Sequence, residues 1–248
     1  MVHKLNKQQK VGMLMKSESK FKRVGRMFTI NLLLAAIIAG LYIALIHPYS
    51  TEAVAVSGFP IYKGSNRDCV ALECAVSWDA KALPEILDLL NKSGVNITFA
   101  VSGEWAENNG DLLRRILAEG HELATMGYSP DKDGKASFIQ NDLKKSCEII
   151  KSETGFDVSL YYCGNRNTNV SAIAARRCKL TPIKCTLDLL CANGVGEDIF
   201  SRIKGNTNGG KILLVSPTQG FLEALPDILA YFYDKGLTIT TVSSTIYN

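Results

Sequence analysis

The sequence predicts an α/β fold with a parallel sheet, and three observations carry that reading. Short apolar runs suited to buried strands alternate with stretches of helical period from residue 70 to residue 242, the order that gives strand–helix–strand units with right-handed crossovers. Turn formers separate the runs, and Gly155 and Gly236 stand where two helical patterns stop. The strand candidates number seven, which suggests a barrel; an open doubly wound sheet also satisfies the periodicity.

In chain order, residues 47–65 read as a linker. His47-Pro48 ends whatever helix precedes it, and Gly58, Pro60, Gly64 and Ser65 are turn formers. The domain then runs from 66 to 246. Residues 70–76 form the first strand. A helix follows over 83–90, with Leu83, Ile86, Leu87 and Leu90 at helical spacing and Pro84 in its first turn. The second strand is 96–101, NITFAV, after which one helical pattern continues to Glu119. The remaining strands are 121–125, 158–162, 183–187, 212–215 and 237–242. Helices are expected at 137–154, which Ser137 is placed to cap, and at 170–178, 196–204 and 221–235.

Charge is distributed unevenly. Residues 1–27 hold eight Lys/Arg against the single acid Glu18, a net of +7 in a chain whose total is +4. The surplus is therefore a tail and not a basic patch on the domain, which argues against nucleic acid as a partner. Directly after the tail, residues 28–46 (FTINLLLAAIIAGLYIALI) are 19 residues without a charge. At about 1.5 Å per residue they span roughly the 30 Å of a bilayer core. The positive-inside rule then expects a single-pass signal anchor in the cell membrane, with 1–27 cytoplasmic and the domain extracytoplasmic. A cleaved signal peptide with Ala53-Val54-Ala55 as its small-residue site is the alternative, but the apolar run exceeds the usual core of such peptides. The seven cysteines at 69, 74, 147, 163, 178, 185 and 191 include no CxxC pair and give no zinc-site spacing; their pairing stays open.

One stretch organises the domain. Residues 120–130 read GHELATMGYSP, and the phrase resembles the second motif of the polysaccharide deacetylase (NodB-homology) family, usually close to GHEIGNHTYSH. Phe59-Pro60-Ile61-Tyr62 followed by Val70-Ala71-Leu72 resembles the lead-in of sporulation-type members. The resemblance covers about residues 59–246. It implies a distorted (β/α) barrel of about seven units and, in active members, N-deacetylation of a glycan with zinc or another divalent metal. It also implies where each catalytic group belongs, and the sequence departs from the pattern each time. The base position falls on Ala75 and a ligand position on Val76. The two ligand histidines are Met126 and Pro130, the orienting arginine is Leu160, and the acid histidine is Ser216. Proline has no donor atom, a thioether is a poor ligand for a hard metal, and serine cannot protonate a leaving amine near neutral pH. The sequence thus predicts no cofactor and no metal site.

A membrane-anchored pseudoenzyme that binds cell-wall glycan or an envelope protein is the leading expectation. An active hydrolase with a rebuilt site would have to draw on Glu73, Asp79, Glu104, Asp188 and Ser216; a structural spacer is the third reading. Candidate groove-lining residues on loops expected to share one face are Trp78, Asp79, Trp105, Tyr128, Asn165 and Arg166, with Asp79 also placed to cap a helix, the tryptophans also placed to pack, and Arg166 expected to be solvent-exposed. Glu73 lies inside a strand buried on both sides, so it is expected to be either protonated or paired.

Overall fold

The computed structural model describes residues 59–78, 80–192, 194–205 and 208–247, together with Leu32 and Leu34. The basic tail and nearly all of the apolar run 28–46 lie outside the described residues. Among the described residues no helix is long and apolar enough to cross a membrane.

The domain alternates strand and helix except at two doubled elements, one pair of helices and one pair of strands: β1 (Cys69–Val76), α1 (Leu83–Ser93), β2 (Thr98–Val101), α2 (Gly103–Asn108), α3 (Gly110–Ala118), β3 (Glu122–Thr125), α4 (Ala136–Thr154), β4 (Leu160–Tyr162), α5 (Thr168–Arg177), β5 (Thr181–Ile183), β6 (Leu187–Asp188), α6 (Gly196–Ser201), β7 (Ile212–Val215), α7 (Gln219–Asp234), β8 (Thr238–Thr240) and α8 (Val242–Tyr247). Every strand pairing is parallel. The sheet is a curled half-barrel in the order β5-β4-β3-β2-β1-β7-β6, with β8 paired to the first half of β1. The open doubly wound alternative is therefore set aside.

Period-2 alternation divides the apolar residues into two layers. On β1, Val70, Leu72, Cys74 and Val76 point outward into the cluster shared with Leu83, Leu87, Ile116, Phe221 and Phe232 of the helices. Ala71 and Ala75 point inward, toward Ala100, Ala124, Leu160 and Tyr162. A third cluster, around Ile139, Leu143 and Tyr161, seats α4 and α5 on β4.

The structure corrects the predicted elements at four places. The single fifth strand at 183–187 is two short strands, β5 on β4 and β6 on β7. The chain changes partners between them: the Lys184 N–H donates to Ile61 and the Thr186 N–H to Ile212, so the backbone groups stay satisfied while the strand breaks. The continuous helix to Glu119 is two helices, interrupted at Asn109 (φ −135°, ψ 39°), whose side-chain amide donates to the Trp105 carbonyl. Ser137 does not cap α4. That helix begins one residue earlier, after Lys135, with no side-chain cap bond. Finally, the last strand stops at Thr240 and α8 follows. Thr98 Oγ1 accepts from the Val242 N–H at 2.8 Å, and the Thr245 carbonyl accepts from the Asn66 N–H at 3.3 Å, so α8 lies across the end of the half-barrel where the strands begin. Gly64 packs so closely on the Thr245 backbone that a Cβ there would collide with it.

Candidate functional site

The strand register places the positions of interest at one end of four adjacent strands. Ala75 pairs with Ala100, the Met126 N–H donates to the Val101 carbonyl at 2.8 Å, and Cys74 pairs with Val215, which puts Ser216 beside Ala75. Ala75 is partly exposed and faces the inner layer; Met126 and Leu160 are buried in it; Pro130 and Ser216 are partly exposed. Val76 is buried in the outer layer, turned toward the helices. These residues offer a hard divalent cation no carboxylate and no imidazole, so the donor set does not fit the family's metal. Among the described residues, no cluster of three His, Cys, Asp or Glu could hold an ion.

The loop after β3 is rigidly held. Arg166, which the sequence places at the surface, is buried at 3 % exposure, and its Nη2 lies 2.6 Å from Asp142. The same guanidinium donates to the carbonyls of Ser129 (2.7 Å) and Lys132 (3.0 Å), while the Asp142 carboxylate accepts from the N–H groups of Tyr128 (3.0 Å) and Ser129 (2.9 Å). Burial works against the Arg166 charge, but the bond to Asp142, the charge of that carboxylate and Tyr161 together outweigh it, so its pKa rises. Gly127 (φ +88°) makes the clamp possible: a Cβ there would strike Asp142 and Arg166, and the left-handed backbone favours glycine in any case. Asp142 went unnoticed in the sequence because it sits on α4, 14 residues from the loop it holds.

The candidate groove residues separate. Trp78 is 69 % exposed after β1, and Asn165 is exposed after β4. Tyr128 is half-buried, its hydroxyl donating to Glu107 at 2.9 Å and its ring carrying the Lys145 ammonium 3.2 Å from the centroid. Trp105 does not line a groove: it is buried in the outer core, on a helix whose first turn Ser102 caps. Asp79 lies outside the described residues, and the residue flanking α1 is Ala82. Among the residues considered for a rebuilt site, Glu104 is exposed and Asp188 accepts from the Leu190 N–H.

Beneath Ala75, the next inward layer reads Glu73, Thr98, Glu122 across β1, β2 and β3. Glu122 is well provided for, accepting from the Thr98 hydroxyl and from the Ser243 N–H at 3.2 Å. Glu73 is fully buried, and neither carboxyl oxygen has a hydrogen-bond partner. Burial, with Glu122 adding to it, pushes its pKa up to about 8. Of the two expectations for this residue, the structure selects the protonated acid. Its proximity contributes, after burial, to raising the Cys185 thiol to about 11 and to raising the Tyr162 phenol. A full layer of polar side chains was legible as Thr98 and Glu122 at inward positions of short strands, but only once register was known.

His121 lies at the opposite end, immediately before β3. It is buried, its Nδ1 accepts from the Ile97 N–H at 3.2 Å, and burial lowers its pKa, so it is neutral. The seven cysteines are free thiols, Cys69, Cys74, Cys163 and Cys191 buried and the others partly so.

Residues 65–182 match the family model described as polysaccharide deacetylase. The chain is 27 % identical over 190 residues to YlxY of Bacillus subtilis, the match covering 74 % of this chain and 59 % of that protein. It is 28 % identical over 189 residues to the peptidoglycan-N-acetylglucosamine deacetylase of Bacillus cereus, covering 72 % and 68 %. The chain therefore spans about three fifths of the length of the YlxY relative. Among solved structures, the wild-type BA3943 protein of Bacillus anthracis, described as a CE4 family pseudoenzyme, superposes with a TM-score of 0.72 at 24 % identity, over 76 % of this chain and 69 % of that one. The strand order, the GHE phrase entering β3 and these matches agree: the chain carries a polysaccharide deacetylase (NodB-homology) domain.

Proposed function

We propose that this is a membrane-anchored, extracytoplasmic member of the family that has lost catalysis and works by binding cell-wall glycan or an envelope protein. One observation carries the reading. At the end of the sheet where the family's chemistry belongs by resemblance, Ala75, Val76, Met126, Pro130, Leu160 and Ser216 supply no titrating group and no hard-metal ligand. Acid–base transfer and metal activation are separate large contributions to rate, so loss of both together leaves little. Of the two carboxylic acids in the inward layer, Glu73 is sealed from solvent and neutral at pH 7, and Glu122 is engaged by the Thr98 hydroxyl and the Ser243 N–H. The fold itself does not demand activity, since a protein described as a pseudoenzyme shares it. A cell-wall setting is supported by the name of the Bacillus cereus relative, which acts on peptidoglycan. The uncharged run 28–46 beside the +7 tail supports a single-pass anchor with the N-terminus inside.

Metal content and acetate release test the proposal on the detergent-purified full chain. The expected outcome is sub-stoichiometric zinc and no acetate above blank from N-acetylglucosamine oligomers, with or without added zinc or cobalt. One zinc per chain, lost on changing a single carboxylate and accompanied by acetate release, would falsify it.

A further inference from the structure

We infer that the end of the domain where the strands begin, around β5, is a docking face for an anionic bilayer surface. The inference shares with the proposed function only the reading of 28–46 as an anchor. The first described residues of the domain lie on this face: the Phe59 carbonyl accepts from Arg176 at 2.9 Å, and Ile61 exchanges backbone hydrogen bonds with Pro182 (2.9 Å) and Lys184 (3.0 Å) on either side of β5. The described end of the linker, from residue 59, thus lies here and not at the mouth.

The same neighbourhood carries exposed aromatic rings. Tyr62 is 42 % exposed, Phe156, in the turn leading to β4, 41 %, and Tyr247, at the end of α8, 62 %. Tyr247 is tied to the patch by the 3.0 Å contact of its hydroxyl with Thr181, and the turn at 156–159 by the bond from the Thr181 N–H to the Ser159 carbonyl. Exposed cations sit among them: Lys63 beside Tyr62, Arg177 in the last turn of α5, and Lys179, in a left-handed conformation, just before β5. Two nearby acids are engaged by bases, Glu153 by Arg114 (3.1 Å), which Asp111 shares, and Asp157 by Lys151 (2.8 Å); Asp68 and Asp234 are also exposed at this end, Asp234 on α7 on the far side of β1 from the patch.

Amphipathic rings interleaved with lysine and arginine are the side-chain set that suits the headgroup region of an anionic membrane. A glycan would find rings but little use for the cations. The far end of the domain presents exposed Glu104, Glu107, Glu197 and Asp198, which disfavour the opposite orientation on the same surface. Docking by this face leaves the mouth, with Trp78, turned away from the bilayer.

Hydrogen exchange of the full chain tests this in nanodiscs of two compositions, one wholly phosphatidylcholine and one with a third of the lipid replaced by phosphatidylglycerol. Amides of 61–68, 156–160 and 177–181 are expected to exchange about fivefold more slowly in the anionic discs. Amides around Trp78 and Leu190 should be unaffected, and Arg177→Glu with Lys179→Glu should remove the difference. No dependence on lipid charge, or slowing confined to the mouth, overturns the inference. Slowing at the patch in both compositions alike, unchanged by the charge reversals, points to a protein or apolar contact and also overturns it. Chain eluting free of phosphatidylcholine discs refutes the anchor alone, because the criterion for the patch is then read in the same way on the anionic discs.

Discussion

Glu73 shows how a single buried residue can set the pH dependence of a fold. Its ordinary pKa of 4.5 rises to about 8 in the fold because the charged form has neither water nor a donor. Between these values the folded chain holds a proton that the unfolded chain has released. Stability contributed by the neutral acid is therefore complete below pH 4.5 and is lost progressively as pH rises to about 8. At about 1.4 kcal/mol per pH unit the total amounts to a few kcal/mol. Glu73→Gln keeps the shape and removes the titration. Urea midpoints of the variant should match the parent near pH 5 and exceed it at pH 8.5; parallel pH profiles would mean that Glu73 does not titrate in this range. The residue's position was legible, since a glutamate in an apolar strand stands out, but its state was not. Whether a donor lies opposite depends on register, and the register supplies Leu214 and Thr98, with the Thr98 hydroxyl already given to Glu122.

Elements were legible wherever periodicity and a terminal glycine agreed, as for α4 closed by Gly155 and α7 followed by Gly236, both left-handed. They were misread where a backbone changed partners without changing hydropathy. The break between β5 and β6 leaves no mark in the sequence, because Lys184, Cys185 and Thr186 suit an extended strand as well as a crossing. The loop after β3 is the instructive case for the site. Its wording identified the family, yet what holds it is a buried pair contributed by α4 and by the turn after β4. Asp142→Ala would leave the Arg166 charge buried and three loop or guanidinium bonds unmade, so a destabilisation of about 3–5 kcal/mol is expected in urea. Replacing both partners with apolar residues, Asp142→Leu with Arg166→Met, should cost clearly less than the sum of the single changes. Additive losses would show that the two side chains act on the loop independently.

At the scale of the whole molecule, the helices and the outer layer shape the mouth of the half-barrel, and none of the described side chains in that layer faces the mouth. Under the mouth the inner layer has Ala75, Ala100 and Ala124 in register, small residues that offer a ligand no polar group. What remains on the rim for a sugar is an exposed ring at Trp78, with Asn165 and the edge of Tyr128 on other strand ends. The two tryptophans of the chain are oppositely placed, Trp78 at 69 % exposure and Trp105 at 6 % in the core. Intrinsic fluorescence therefore has one reporter at the mouth and one insulated from it. Titration with N-acetylglucosamine oligomers is expected to give a weak, saturable change with a Kd of about a millimolar, the affinity of an open surface with few anchors. Trp78→Phe should abolish the change while leaving the urea midpoint within about 0.5 kcal/mol of the parent, as for an exposed position, and Trp105→Phe should keep the change while lowering the midpoint, since that ring is packed. A titration without change, with NMR shifts confined to surfaces away from Trp78, Tyr128 and Asn165, would remove glycan from the mouth and leave a protein partner as the occupant to seek.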